Sequence, residues 1–137
     1  MELKEKYQMI YRRLLSEVAE IVFVKANGTL RTMLATRDVG SAEQFGFDRP
    51  FLLACMDSHD KRCNIKNGNM VVIDLLLGEP RSFNIERLVS INWVGEVNSK
   101  DEANKVYMNF KEFDAKYKNS RDTMNVSMDD LVELNGI

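Results

Sequence analysis

One stretch gathers most of the side chains able to hold a metal or attack a substrate. Cys55-Met-Asp57-Ser-His59-Asp60-Lys-Arg-Cys63 contains both thiols and the only imidazole of the chain, with two carboxylates between them. Structural zinc sites pair ligands as Cys-x2-4-Cys or His-x3-5-His and need four of them. Here the cysteines are eight apart with a single His between, so Cys55, His59 and Cys63 are metal candidates by type and not by spacing. A Cys/His nucleophile pair would need an orienting group and an oxyanion hole, and neither is identifiable. The favoured expectation is that Cys55 is a small core residue on a strand and that His59 to Lys66 form an exposed turn.

A second group consists of Arg31, Arg37, Arg81 and Arg87, which fall on or beside stretches with strand patterning. Arginine on a curved sheet can grip phosphate or carboxylate in bidentate fashion, and Phe83 or Trp93, if exposed, could stack a base. The competing expectation is ordinary surface pairing with Asp38, Asp74, Glu79 or Glu86. No phosphate-cradling glycine loop, dinucleotide fingerprint, nucleophile elbow or H-E-x-x-H pair is present. Acid pairs such as Asp101-Glu102 and Asp129-Asp130 sit at helix starts, where they complement the dipole. One His leaves few bases that titrate near neutrality. The expectation is a protein that is not an enzyme and takes no cofactor.

The elements that must position these residues follow from periodicity. Leu3, Tyr7, Ile10, Tyr11, Leu14 and Val18 share one helical face, which predicts an amphipathic helix over 2–19. From Glu20 the period changes. Ile21 to Ala26 is β-branched and aromatic, Asn27-Gly28 tolerates positive φ, and Thr29 to Thr36 resumes strand patterning, a strong hairpin signal. Residues 37–50 read as loop, Phe51 to Met56 as a short buried strand, and Ser58 to Asn69 as a polar segment ending in a turn. Met70 to Leu77, Arg81 to Ile85 and Val89 to Val94 read as further strands, with a helical turn at Glu86 to Leu88.

Five short strands within about 75 residues, with one helical turn before the last, are what a small SH3-like barrel needs to hide its sheet edges. Ser99 with Glu102 forms a capping box ahead of Ala103, Val106, Phe110, Phe113 and Tyr117, which predicts a second helix over 100–118. A weaker box, Ser127 with Asp130, precedes a short terminal helix or tail. The predicted fold is therefore mainly β with flanking helices, α+β: an N-terminal helix over 1–19, a five-stranded barrel over 20–97 and a C-terminal helical extension over 98–137, forming one compact domain.

Composition bounds the function. The chain has 137 residues, 45% of them hydrophobic, with 19 Lys plus Arg against 21 Asp plus Glu. Residues 1–20 carry four charges of each sign and residues 21–97 nine of each, so the deficit belongs to 98–137, with six positive and eight negative. No block is basic, which disfavours coating of DNA by bulk charge. No apolar run approaches the ~20 residues of a membrane span, and the charged N-terminus is unlike a secretory signal. A cytoplasmic protein with reduced thiols is expected.

Two stretches carry a resemblance. Phe23-Val-Lys-Ala-Asn-Gly-Thr-Leu-Arg31-Thr-Met33-Leu-Ala-Thr36 resembles the hairpin of small tailed-phage proteins with a WYL-like, Sm-like SH3 β-barrel, whose pattern runs F-T/V-K-x-D/N-G-x-x-R-x-M-x-x-T. Val72-Ile-Asp74 followed by Arg81-Ser-Phe83-Asn-Ile-Glu-Arg87-Leu-Val-Ser-Ile91 resembles that family's closing segment, and a similar ending occurs in WYL domains of bacterial regulators. The resemblance covers about residues 20–94 and leaves the flanking helices outside, with 58–69 as an insertion. It implies a phage regulatory or host-takeover protein, made in the infected bacterium, that binds single-stranded nucleic acid or a nucleotide, with Arg31, Arg81 and Arg87 at the matching basic positions. The alternative is a module that occupies a host protein, such as RNA polymerase or a defence component, through a barrel edge, the polar insertion or the acidic C-terminal segment.

Overall fold

The computed structural model describes residues 2–60 and 63–122, without the side chains of 57–60 and 117–122. The predicted terminal box at Ser127 lies outside the described residues. The order of elements is α1 (Leu3–Leu14), β1 (Val18–Val24), β2 (Leu30–Thr36), α2 (Val39–Gln44), α3 (Arg49–Asp60), β3 (Asn69–Asp74), β4 (Glu79–Asn84), a 3-10 turn (Ile85–Arg87), β5 (Leu88–Gly95) and α4 (Lys100–Asp122). This is an α+β fold around one five-stranded antiparallel sheet, ordered β4-β3-β2-β1-β5.

Helix α1 buries Tyr7, Ile10 and Leu14, as its stripe requires. It stops short of the predicted boundary because Val18 belongs to the sheet, paired with Thr36 on one side and Gly95 on the other. The β1–β2 hairpin turns at Asn27-Gly28, where Gly28 has φ +87° and Lys25 N–H donates to the Thr29 carbonyl at 2.8 Å.

The loop expected over 37–50 and the strand expected over Phe51 to Met56 are both corrected. Asp38 caps α2, accepting from Gly40 N–H at 3.2 Å and from the Ser41 hydroxyl at 2.7 Å. Asp48 then caps α3, accepting from Phe51 N–H at 3.3 Å, and Pro50 in the first turn suits a position whose N–H has no helical partner. Within Phe51 to Met56, Leu52 and Met56 are buried while Phe51 and Leu53 are exposed. That is a spacing of four, not two. Strand β3 also ends earlier than predicted. Asp74 accepts from the N–H groups of Leu76 at 3.0 Å and Leu77 at 3.2 Å and so bends the chain at the leucine run.

Both faces of the sheet are covered. On one, Ala19, Ile21, Phe23, Met33, Ala35, Met70, Val72, Phe83 and Ile85 pack against the buried stripe of α1. On the other, Val18, Leu34, Ile73 and Leu75 pack with Ala42 of α2, Leu52 and Met56 of α3, and Ala103 and Phe110 of α4. This two-sided burial explains why β1, with Glu20 as its one polar residue, reads as a nearly continuous apolar run.

The closed barrel is not what forms. Among the described residues no ladder joins β4 to β5, so the sheet is open. It is also split near its middle. Seven pairs join β1 to β2 and six join β3 to β4, but β2 meets β3 only at Ala35↔Asp74 and Thr36↔Ile73. No helix among the described residues is long and apolar enough to cross a membrane.

Candidate functional site

The predicted binding residues do not form one phosphate-facing cluster. Arg31 lies on β2 opposite Phe23, and its Nη2 sits 3.1 Å from Oδ2 of the buried Asp74. Arg81, opposite Val72 on β4, pairs with Glu79 at 2.7 Å and donates to the Pro80 carbonyl at 3.4 Å. Arg87, in the 3-10 turn, donates to the Lys25 carbonyl at 3.1 Å. The exposed Arg81–Glu79 pair thus fits the competing expectation of surface pairing, whereas Arg31 meets an acid named there, Asp74, that is buried.

The aromatic candidates are also engaged. Phe83 is buried in the α1-side core, its ring 5.8 Å from that of Phe23. Trp93 on β5 is half-buried, and the Arg13 guanidinium lies 4.4 Å over its ring. Neither offers an open platform like the one imagined for base stacking.

Arg37 departs furthest from its expected place on the surface. It is buried, donates from Nη2 to the Tyr11 hydroxyl at 3.2 Å, lies 4.5 Å over the Tyr11 ring and donates from Nη1 to the Val71 carbonyl. Its Nη1 also approaches Cys63 Sγ at 3.7 Å, and the same sulfur accepts from Val71 N–H at 3.3 Å. Burial and the Cys63 sulfur raise the Tyr7 hydroxyl above its ordinary range. Tyr7 therefore stays a donor, to the Asn69 carbonyl at 2.8 Å. This polar knot ties α1 to β3.

The metal candidates are dispersed by element. Cys55 is on helix α3, not on a strand, while Cys63 follows that helix. His59 is also on α3, within the stretch whose side chains are not described. Among the described residues, no three His, Cys, Asp or Glu side chains converge as a metal would require.

An open groove of about 560 Å³ lies over the split in the sheet. One wall is the first half of β2 with Lys25 beside it, the opposite wall is the β3–β4 turn with Leu76 and Leu77, and Phe110 and Asp114 of α4 close the base. Leu76 and Leu77 are 42% and 53% exposed, whereas Phe110 is almost fully buried. The Thr32 hydroxyl donates to Asp114 and fastens α4 against β2. Beyond Leu76 the surface continues into a recess of about 420 Å³ lined by Phe45, Phe47 and Tyr107, with Lys100 at its edge.

Sequence reasoning missed this groove. Its one legible signal is Leu75-Leu-Leu77 before Gly78, since three consecutive leucines at a turn cannot all face a core. Compared with protein-family models, curated proteins and solved structures, the chain shows no match.

Proposed function

We propose that the chain is a small non-enzymatic binding protein of the phage regulatory kind suggested by its two motifs, built on an SH3-like, Sm-like sheet. It acts by holding a segment of a protein partner. The observation that carries this reading is the split between β2 and β3. An unpaired strand edge beside exposed apolar side chains is a template for another chain, and Leu76 and Leu77 flank such an edge. The strand order and the single 3-10 turn between β4 and β5 support the SH3-like assignment.

Phosphate recognition draws less support. Each of Arg31, Arg81 and Arg87 already serves an acceptor within the chain, and Phe83 is buried. The test is capture from host-cell extract with the tagged full chain, with and without nuclease, beside titration with labelled oligonucleotides and nucleotides. One protein retained in stoichiometric amount after nuclease treatment is expected. An oligonucleotide bound at low salt, released as salt rises and lost in folded Arg81→Ala and Arg87→Ala variants, with no protein retained, would establish the phosphate reading instead.

A further inference from the structure

We infer that the groove over the sheet split accepts an extended peptide alternating acidic and apolar side chains, which adds to β2 as an extra strand. The inference deepens the protein-binding reading above and rests on it.

Backbone direction is the first support. The Thr29 carbonyl accepts from Lys25 N–H on the β1 side, and the Leu34 carbonyl accepts from Leu75 N–H on the β3 side, each at 2.8 Å. Hydrogen-bonding groups alternate sides along a strand, so the N–H and C=O of Leu30 and Thr32 point the same way as those of Leu34, toward the groove. Among the described residues nothing in the sheet pairs with them, because the β2–β3 ladder covers only Ala35 and Thr36. An incoming strand therefore meets two donors and two acceptors spaced about 7 Å apart along β2.

Side-chain chemistry selects the occupant. A strand laid there turns alternate residues toward Leu76 and Leu77, which favours apolar side chains at every second position. The acids of the groove are already engaged: Asp74 holds Arg31 and two backbone amides, and Asp114 holds the Thr32 hydroxyl. Lys25 at one end and Lys100 at the edge of the adjoining recess form no ion pair among the described residues. The uncommitted charge is positive, and it complements acidic side chains at the remaining positions. Residues 127–134 of this chain, Ser-Met-Asp-Asp-Leu-Val-Glu-Leu, have related chemistry, so occupation in cis must be separated by experiment.

The experiment uses the full chain and three labelled ten-residue probes: one alternating Leu and Glu, one alternating Leu and Lys, and the first with alternate amides N-methylated. Anisotropy reads binding, and amide exchange reads Leu30 and Thr32. Saturable binding of the acidic probe is expected, with slowed exchange at both amides. The lysine probe should bind more than about tenfold more weakly, and the Lys25→Glu/Lys100→Glu variant should weaken the acidic probe by a similar factor. N-methylation should abolish binding. No binding of the acidic probe, equal binding of the two charge types, or unaltered binding of the methylated probe each overturns the proposal.

Protection of both amides without any probe also overturns it. If that protection depends on concentration, the occupant is a second copy, and if not, it is the chain's own segment. A captured protein that leaves Leu30 and Thr32 exchanging defeats strand addition while the wider protein-binding reading stands. Absence of any captured protein defeats the wider reading.

Discussion

At the scale of single residues, the informative side chains are polar groups that the fold has drawn inside. Glu20 is buried on β1, and burial raises its carboxyl above the ordinary value of 4.5, opposed only in part by the hydrogen bond from Asn92 Nδ2 at 2.6 Å. The folded protein thus keeps this proton to a higher pH than the unfolded chain does. Its contribution to stability is fully present below pH 4.5 and is lost as pH rises through the raised folded value. Glu20→Gln abolishes that titration and keeps an acceptor for Asn92. Thermal melts should show the variant more stable near neutrality, with the gap closing on acidification. Equal melting temperatures at pH 7 would contradict this account. Asp74 gives a complementary case, since it both accepts amides and pairs with Arg31. Asp74→Asn keeps an amide acceptor and should cost roughly 1 kcal/mol, whereas Asp74→Ala strands the turn amides and should cost about 3 kcal/mol in denaturant titrations. The pairing of Arg81 was foreseeable from Glu79 two residues away, whereas Asp74 lies 43 residues from Arg31 and reaches it only across the sheet. The inward turn of Arg37 was not foreseeable either, because it depends on Tyr11 and Val71, which are brought to it only by tertiary structure.

At the scale of elements, legibility tracked how local the deciding interaction is. Half of the capping box at Ser99 formed as its spacing implied: Glu102 N–H donates to Ser99 Oγ at 3.1 Å, whereas the returning bond to Glu102 Oε2 comes at 3.3 Å from Asn98 N–H, one residue before the cap. Ser99→Ala should therefore cost about 1 kcal/mol, read by urea denaturation. Helix α3 was misread because six apolar residues in a row carry no period of their own. The cues that decide it are Asp48 and Pro50 just upstream, together with Leu52, Leu53, Ala54 and Met56, which are all good helix formers. The β3–β4 turn shows a cue that only three dimensions reveal. Gly78 has φ +67°, and a Cβ there would overlap the Phe47 ring from the α2–α3 connection. Gly78→Ala should destabilise by about 2 kcal/mol, through backbone strain and overlap together. Adding Phe47→Leu should recover only the overlap share, because the positive φ remains. Full recovery in the double variant would show that φ costs nothing here.

At the scale of the whole molecule, the sheet is two hydrogen-bonded halves sharing an apolar core on each face. Strand β1 is paired along its length on both sides, by β2 and β5, whereas the β3–β4 hairpin is tied to β2 by two pairs. The halves are also joined by the Leu75 N–H to Leu34 carbonyl bond, by Arg37 donating to the Val71 carbonyl, and by side-chain packing: Ile10 and Leu14 of α1 lie in one core with Ile21 and Met33 from the first half and with Val72 and Phe83 from the second. The Arg31–Asp74 pair bridges the same gap. Few ladder bonds across a seam permit local opening below the free energy of global unfolding. Native-state amide exchange should accordingly resolve two groups, with β3 and β4 opening together at lower free energy than β1, and Asp74→Ala should widen that separation. A single free energy common to β1, β3 and β4 would mean that the shared core makes the sheet one cooperative unit. The groove lies on this seam, so a strand added to β2 would contact both halves at once, Leu30 and Thr32 by backbone and Leu76 and Leu77 by side chain. Binding should then slow exchange in β3 and β4 as well as at the β2 edge, and the two groups should draw together in proportion to occupancy. If a bound strand protected β2 alone, the β3–β4 turn would be a bystander, and the exposed leucines would need another explanation.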